Sequence, residues 1–447
     1  MAANKTSMDM THGALWSKIL IFALPLAASS ILQQLFNSVD TAVVGRFASS
    51  QALAAVGSNG SLISLMINLF IGISLGSNVV IAHYIGERSE QNIQSAIHTA
   101  IVVALLSGFF VMILGQFIAR PVLLLMGTPE DVIELAVLYL RIYLIGMPFI
   151  MLYDFGSSIL RSTGDSRRPL YSLIVAGVVN TLLNLVLVIV FHMGVAGVAI
   201  ATVISNVVSS GIVMYILLHE AEPIRLNVHK LKIEPKELKK ILAIGIPAGL
   251  QGMMFSIANV CIQSTINSFG SAAIAGSAAA LNYEFFSYFM VNAFAQAAVT
   301  FTSQNYGAGE YDRCKRIFRI SMLFSLVSCG LLSGVFVIGR DFFLRLYTTD
   351  EAVLVFANQR ILIATTLELL TSIYEISAGA MRGLGHSLLP AIITFLGSCV
   401  LRLIWIATAC RMVHEFWMLM IIYPISWVVT GIAMMIAYYC IRRKCQA

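Results

Sequence analysis

The sequence predicts an all-α integral membrane protein with twelve transmembrane helices in two pseudo-symmetric six-helix lobes. Composition is the first reason. Of 447 residues, 58% are hydrophobic and only 11% are charged, whereas a soluble domain carries about 25% charged residues. Such a chain cannot cover a surface that faces water, but it can cover one that faces lipid. An internal repeat is the second reason. The word Arg161-Ser162-Thr163-Gly164-Asp165-Ser166-Arg167-Arg168-Pro169 returns as Arg382-Gly383-Leu384-Gly385-His386-Ser387-Leu388-Leu389-Pro390, an R-x-x-G-x-S-x-x-P pattern at an offset of 221. Pro25, Asn37 and Phe47 fall opposite Pro247, Asn259 and Phe269 at an offset of 222. A chain that repeats itself at half-length folds as two similar halves.

Apolar runs long enough to cross a bilayer, about 20 residues each, lie at 17–45, 53–82, 93–118, 133–159, 169–191 and 195–218. They return at 239–267, 274–303, 317–339, 353–380, 388–410 and 415–441. The expected organisation is an N-terminal segment 1–16, a lobe 17–218, a basic linker 219–238, a second lobe 239–441 and a tail 442–447. Six spans per half bring both halves in from the same side, so the repeats are parallel.

Basic residues set the orientation. With a cytoplasmic N-terminus, only Arg46, Arg120, Arg340, Arg345 and Arg411 face the other side, and Arg141, Arg360 and Arg402 lie within spans or near their ends. The remaining lysines and arginines, from Lys5 and Lys18 to Arg442, Arg443 and Lys444, are cytoplasmic, which places both termini inside. The net charge of +6 follows from that asymmetry and gives no reason to expect nucleic-acid binding. No cleavable signal pattern opens the chain. The seven scattered cysteines form no C-x-x-C pair and read as reduced apolar fillers. The linker, with Arg225, Lys230, Lys232, Lys236, Lys239 and Lys240, reads as lying against anionic headgroups. Pro235 suits the first turn of a helix.

Function in such chains rests on the polar groups that a bilayer should exclude. In the first span Gln33, Asn37 and Asp40 share one helical face, with Gln34 beside them. Pro25, fifteen residues before Asp40, permits a bend. A carboxylate in low dielectric must take a proton, hold a cation or pair with a base. Asp40 is therefore a candidate for ion coupling, with pairing to Arg46 as the plainer reading. Asn180 and Asn184, one turn apart in the fifth span, could bond Asp40, coordinate a cation, or only hold helices together.

The second half differs. Ile262 stands where Asp40 would repeat, and the acids within spans lie elsewhere, Glu284 in the eighth and Glu368 and Glu375 in the tenth. Glu284, Tyr288, Asn292 and Gln296 recur at every fourth residue, a stripe suited to a wet cavity between the halves. Glu368 is the better cavity acid, because Glu284 and Glu375 fall close to span ends. Asp154 reads as a partner of Arg161. The two repeated words read as loop architecture, with glycine for an unusual backbone angle, proline opening the next helix, and arginine reaching the headgroups.

The word Tyr153-Asp154-Phe155-Gly156-Ser157-Ser158-Ile159-Leu160-Arg161-Ser162-Thr163-Gly164-Asp165-Ser166 resembles a signature of the multidrug and toxic compound extrusion (MATE) family. So do Asp40-Thr41-Ala42-Val43-Val44-Gly45, Ala55-Val56-Gly57, Gly194-Val195-Ala196-Gly197-Val198-Ala199 and Arg402-Leu403-Ile404-Trp405-Ile406. The resemblance covers nearly the whole chain. It implies two six-helix lobes in a V shape and efflux driven by a proton or sodium gradient. It places Asp40 on the coupling acid of the first span, Pro25 on the bend, and Asn180 and Asn184 on the fifth-span pair of one branch. Asn184 stands where some members have aspartate. The seventh span, around Phe255 and Ser256, lacks the acid of another branch.

The resulting expectation is a secondary antiporter of the plasma (inner) membrane, exporting amphipathic organic cations in exchange for H+ or Na+ by alternating access. Its partners are a small-molecule substrate and membrane lipid, it acts as a monomer, and it needs no cofactor or metal site beyond the coupling ion. A flippase for a lipid-linked precursor is the alternative. Its anionic cargo calls for several basic residues in the cavity, whereas Arg141 reads as the only one well inside a span. No H-E-x-x-H, nucleophile elbow or P-loop supports an enzyme or an ATP-driven pump.

Overall fold

The structure, a computed structural model, describes residues 8–445. Lys5 and the last two residues of the expected tail, Gln446 and Ala447, lie outside the described residues. No strand occurs among the described residues, and the chain forms twelve long helical elements. The first half holds α1 (Leu15–Phe47), α2 (Ser50–Glu87), α3 (Glu90–Leu125), α4 (Glu130–Ile145 continued by Met147–Ser162), α5 (Arg167–Val190) and α6 (Gly194–Leu218). The second half holds α7 (Pro235–Asn267), α8 (Ser271–Gly307), α9 (Tyr311–Ile338), α10 (Glu351–Gly383), α11 (Leu388–Met412) and α12 (Phe416–Lys444).

Among the described residues ten of these are long and apolar enough to cross a membrane, and α4 makes eleven when its two pieces count as one span. α8 has the length, at 37 residues, but its polar stripe keeps it out of that count. The helices outrun the apolar stretches that announced them. The run at 53–82 becomes 38 helical residues, with Ser49 Oγ accepting from Ala52 N at 3.1 Å to cap the start. α4 bends by 47° between its pieces, where Pro148 supplies no N–H to the preceding turn. α5, α10 and α11 each contain a π-helical turn, at Leu185–Val190, Ile361–Thr365 and Phe395–Val400.

The repeated word does local work in each half. Gly164 and Gly385 have φ of 90° and 86°, a conformation that favours glycine. Asp165 Oδ1 accepts from the backbone N–H groups of Arg167 at 3.0 Å and Arg168 at 3.1 Å, capping α5, while its other oxygen and Glu220 both hold the Arg168 guanidinium. Histidine replaces this aspartate at His386, so the second loop lacks that carboxylate.

By packing the chain forms two compact units. One holds Ala28–Gly245, and the other holds Met10–Ala27 with the residues from Ile246 onward. α1 and α7 therefore change unit part-way along, each close to its proline, Pro25 or Pro247.

In the first unit, Asn78 Nδ2 donates to Ser158 O at 3.0 Å and Asn59 Nδ2 to Ala136 O at 3.0 Å, tying α2 to α4. The first turns of α7 lie against α2 so closely that a Cβ on Gly76 would meet Ile241 O at 2.3 Å. The linker is held by protein groups. Tyr84 Oη donates to Glu237 Oε2 at 2.6 Å and accepts from Lys240 Nζ at 2.6 Å, while Glu234 N donates to Thr99 Oγ1 at 3.1 Å.

In the second unit the start of α1 packs through Phe22 on Phe301, edge to face at 5.6 Å. Arg313 and Asn305 both donate to the Met10 carbonyl, and Arg313 also donates to that of Gly13. Ser325 and Ser372 bond across α9 and α10 at 2.8 Å. Phe318 stacks on Tyr438 at 4.1 Å.

Candidate ion-coupling site

In the first unit the packing of α1 on α5 brings their polar residues together. Gly177 on α5 leaves room for the Phe36 ring of α1, since a Cβ there would stand 1.8 Å from Phe36 Cζ. That fit sets the register of the two helices. Asp40, one turn beyond Phe36, then meets Asn184, two turns beyond Gly177. Asn184 Nδ2 donates to Asp40 Oδ1 and lies 3.2 Å from Asn180 Oδ1. Asn180 and Asn184 are 5% and 0% exposed, and Asp40 is half-buried. Among the described residues Asp40 makes no ion pair with Arg46, so the plainer reading of this acid does not describe the structure.

Two further groups complete the surroundings. Thr202 of α6, whose hydroxyl donates to Val198 O at 2.9 Å, and Tyr139 of α4 lie within electrostatic range of the Asp40 carboxylate. Neither was singled out from the sequence, because a threonine and a tyrosine in apolar runs carry no pattern of their own. Asn184 Oδ1 is buried and accepts no hydrogen bond. An acceptor without a donor, beside a carboxylate, is where a proton or a hard cation completes the set. Asn184 is also the last residue before the π-helical turn of α5, a local widening frequent at functional positions.

Gly177→Ala tests the fit that builds this site. The added methyl must displace the Phe36 ring, and such overpacking costs about 1–3 kcal/mol. The expected result is a lower thermal midpoint, read by intrinsic fluorescence. A midpoint at the unaltered level would show that the ring has room to spare.

The other sequence candidates are placed as follows. Gln33 and Asn37 are exposed on α1, and Gln34 is half-buried. On α8, Tyr288, Asn292 and Gln296 are half-buried, with Gln296 Nε2 donating to Asn292 Oδ1 at 2.9 Å and Tyr288 Oη to Glu375 Oε1 at 3.2 Å. Glu368 is 4% exposed, and its Oε2 has no hydrogen-bond partner. Arg161 is the charged neighbour of Asp154. Pro25 lies inside α1, which is helical throughout.

Three expectations about charge need correction. Glu284 is no interfacial acid, because both its oxygens accept from Arg360, at 2.8 Å each, and both residues are buried. Arg382 does not reach out to headgroups; it is buried and donates to Gln251 Oε1 at 2.6 Å. Arg141 is exposed, whereas Arg360 and Arg402 are 2% and 3% exposed. Position along an apolar run reports depth in the bilayer. It does not report which way a side chain points around the helix, and that angle decides burial.

The fold and the repeat have counterparts in known proteins. The MatE family model matches twice, over residues 25–186 and 247–408. The chain belongs to the MatE family. The double match coincides with the internal repeat. MatE relatives include the probable multidrug resistance protein YoeA of Bacillus subtilis, 30% identical over 388 residues that cover 85% of this chain and 84% of that one. An FAD transporter of Shewanella oneidensis is 25% identical over 417 residues, 92% of this chain and 91% of that one. A MATE transporter solved in an outward-facing conformation superposes with a TM-score of 0.92 at 20% identity, over 100% of both chains. A MATE structure described as bent gives 0.91 at 20% identity, over 98% and 97%. This MatE chain is a membrane transporter and not an enzyme.

Proposed function

We propose that this chain exports amphipathic organic cations in exchange for H+ or Na+ by alternating access, with Asp40 as the coupling group. The observation that carries the reading is the Asp40–Asn184–Asn180 chain with its unfilled acceptor oxygen. One carboxylate and the neighbouring amide oxygens suit a shared proton or a small cation. Gln33, Gln34 and Asn37 serve as the substrate-facing part of the same helix. Tyr288, Asn292, Gln296 and Glu368 are the corresponding groups of the second half, offering π-faces and negative charge to a cationic cargo. Relatives named as multidrug resistance proteins favour a drug-like substrate. The basic asymmetry favours a plasma membrane location with both termini in the cytoplasm.

A gradient drives export only if ion and drug prefer opposite states of the transporter. Uptake of a fluorescent cation into everted vesicles, under an imposed pH gradient and separately under a sodium gradient, tests the reading. Accumulation under one of the two is expected. Failure of both to move the dye would sink it.

A further inference from the structure

The second unit holds a buried arginine whose charge no acid answers. Arg402 of α11 donates through Nε to Ser426 Oγ of α12 at 3.0 Å. Ser426 in turn donates to the Tyr423 carbonyl at 2.8 Å, so its hydroxyl proton is spent and it faces Arg402 as an acceptor. The guanidinium carbon lies 4.7 Å from the Tyr423 ring centroid and 6.0 Å from that of Phe255 on α7. Nη1 and Nη2 make no hydrogen bond, and among the described residues no carboxylate pairs with Arg402. The acids of the second unit do not neutralise it: Glu368 Oε2 has no hydrogen-bond partner, Arg402 included. Both Glu284 oxygens are taken by Arg360, which also faces the Tyr423 ring at 5.3 Å. The charged groups acting on Glu368 are Glu284 and Arg360.

A guanidinium inside a membrane protein is ordinarily neutralised and fully bonded. Arg402 instead leaves Nη1 and Nη2 unengaged, with two parallel N–H groups along the outer edge, Nε fixed by Ser426, and the Tyr423 and Phe255 rings beside it. That edge matches a carboxylate in two parallel hydrogen bonds. An unanswered positive charge disfavours a simple cation at the same spot.

We infer that Arg402 is an oxyanion-recognition residue that takes the carboxylate of a cargo, which extends the transporter's range from plain cations to zwitterions and acids. The interaction is a pair of charge-assisted hydrogen bonds, and no covalent step is involved.

Binding of two dyes to the purified full-length protein tests this. Rhodamine 110 carries a free carboxylate, and rhodamine 123 is its methyl ester. Arg402→Gln should weaken rhodamine 110 binding at least about tenfold and rhodamine 123 less than about twofold, with Arg402→Lys in between because it keeps the charge and loses the fork. Equal losses for both dyes, or none for either, overturn the proposal. Should the variants fail to fold, the unaltered protein still decides. Excess benzoate should displace rhodamine 110 while benzamide does not, and failure of benzoate to compete overturns the site. Displacement by phosphatidylglycerol but not phosphatidylcholine, in nanodiscs, supports the same oxyanion chemistry with a lipid headgroup as its source. The assay needs no ion gradient, so its outcome is independent of Asp40.

Discussion

Asp40→Asn is expected to reduce dye accumulation in everted vesicles from a gradient-driven ratio to one, with the protein still made and folded. The argument is thermodynamic. A one-unit pH difference is worth about 1.4 kcal/mol per proton, so one-for-one exchange sustains a roughly tenfold concentration ratio. The vesicle interior must be the acidic side, because protons then leave as the dye enters. An asparagine at position 40 still accepts the hydrogen bond from Asn184, so the fold loses little. It cannot take up a proton and offers no net charge to a cation, so no state of the site depends on the ion. Dye equilibrating at the same rate without a gradient, in mutant and unaltered vesicles alike, would show that the passage itself remains. A tenfold ratio persisting in the mutant would remove Asp40 from the coupling step.

Arg360→Ala should be the most damaging single change to stability. Glu284 would be left 6% exposed with neither of its two hydrogen bonds to Arg360, and Ser277 Oγ would lose its partner at 2.7 Å. Removing one member of a buried pair costs about 3–5 kcal/mol, because the remaining charge stays uncompensated. Thermal unfolding in detergent, followed by tryptophan fluorescence, should show a midpoint many degrees lower or no folded fraction at all. The double change Arg360→Met with Glu284→Gln should recover most of the loss, since it removes both charges and keeps much of the volume. Arg345→Ala, which breaks an exposed pair with Glu351, should barely move the midpoint. An unshifted midpoint for Arg360→Ala would mean that water reaches Glu284.

The spans were legible because lipid imposes a coarse rule: about 20 apolar residues per crossing, repeated in both halves. Asp40, Asn180 and Asn184 were legible for a related reason, as polar letters in apolar runs stand out and their spacing names a helical face. What placed Asn184 against Asp40 was not. That depends on the missing side chain of Gly177 beneath Phe36, a fit between residues far apart in the chain. The bend of α4 had local signs in Gly146 and Pro148, inside what reads as one uninterrupted run. The Glu284–Arg360 pair joins α8 to α10, so neither residue's own neighbourhood reveals the other. The linker's cations read as membrane-facing charges, and only the fold shows Lys240 on Tyr84.

α1 and α7 each leave one unit for the other beside a proline. Cutting the chain in the linker would therefore separate the opening turns of each of these helices from the unit that holds them, so a division that keeps both units whole runs through the helices themselves, after Ala27 and after Gly245.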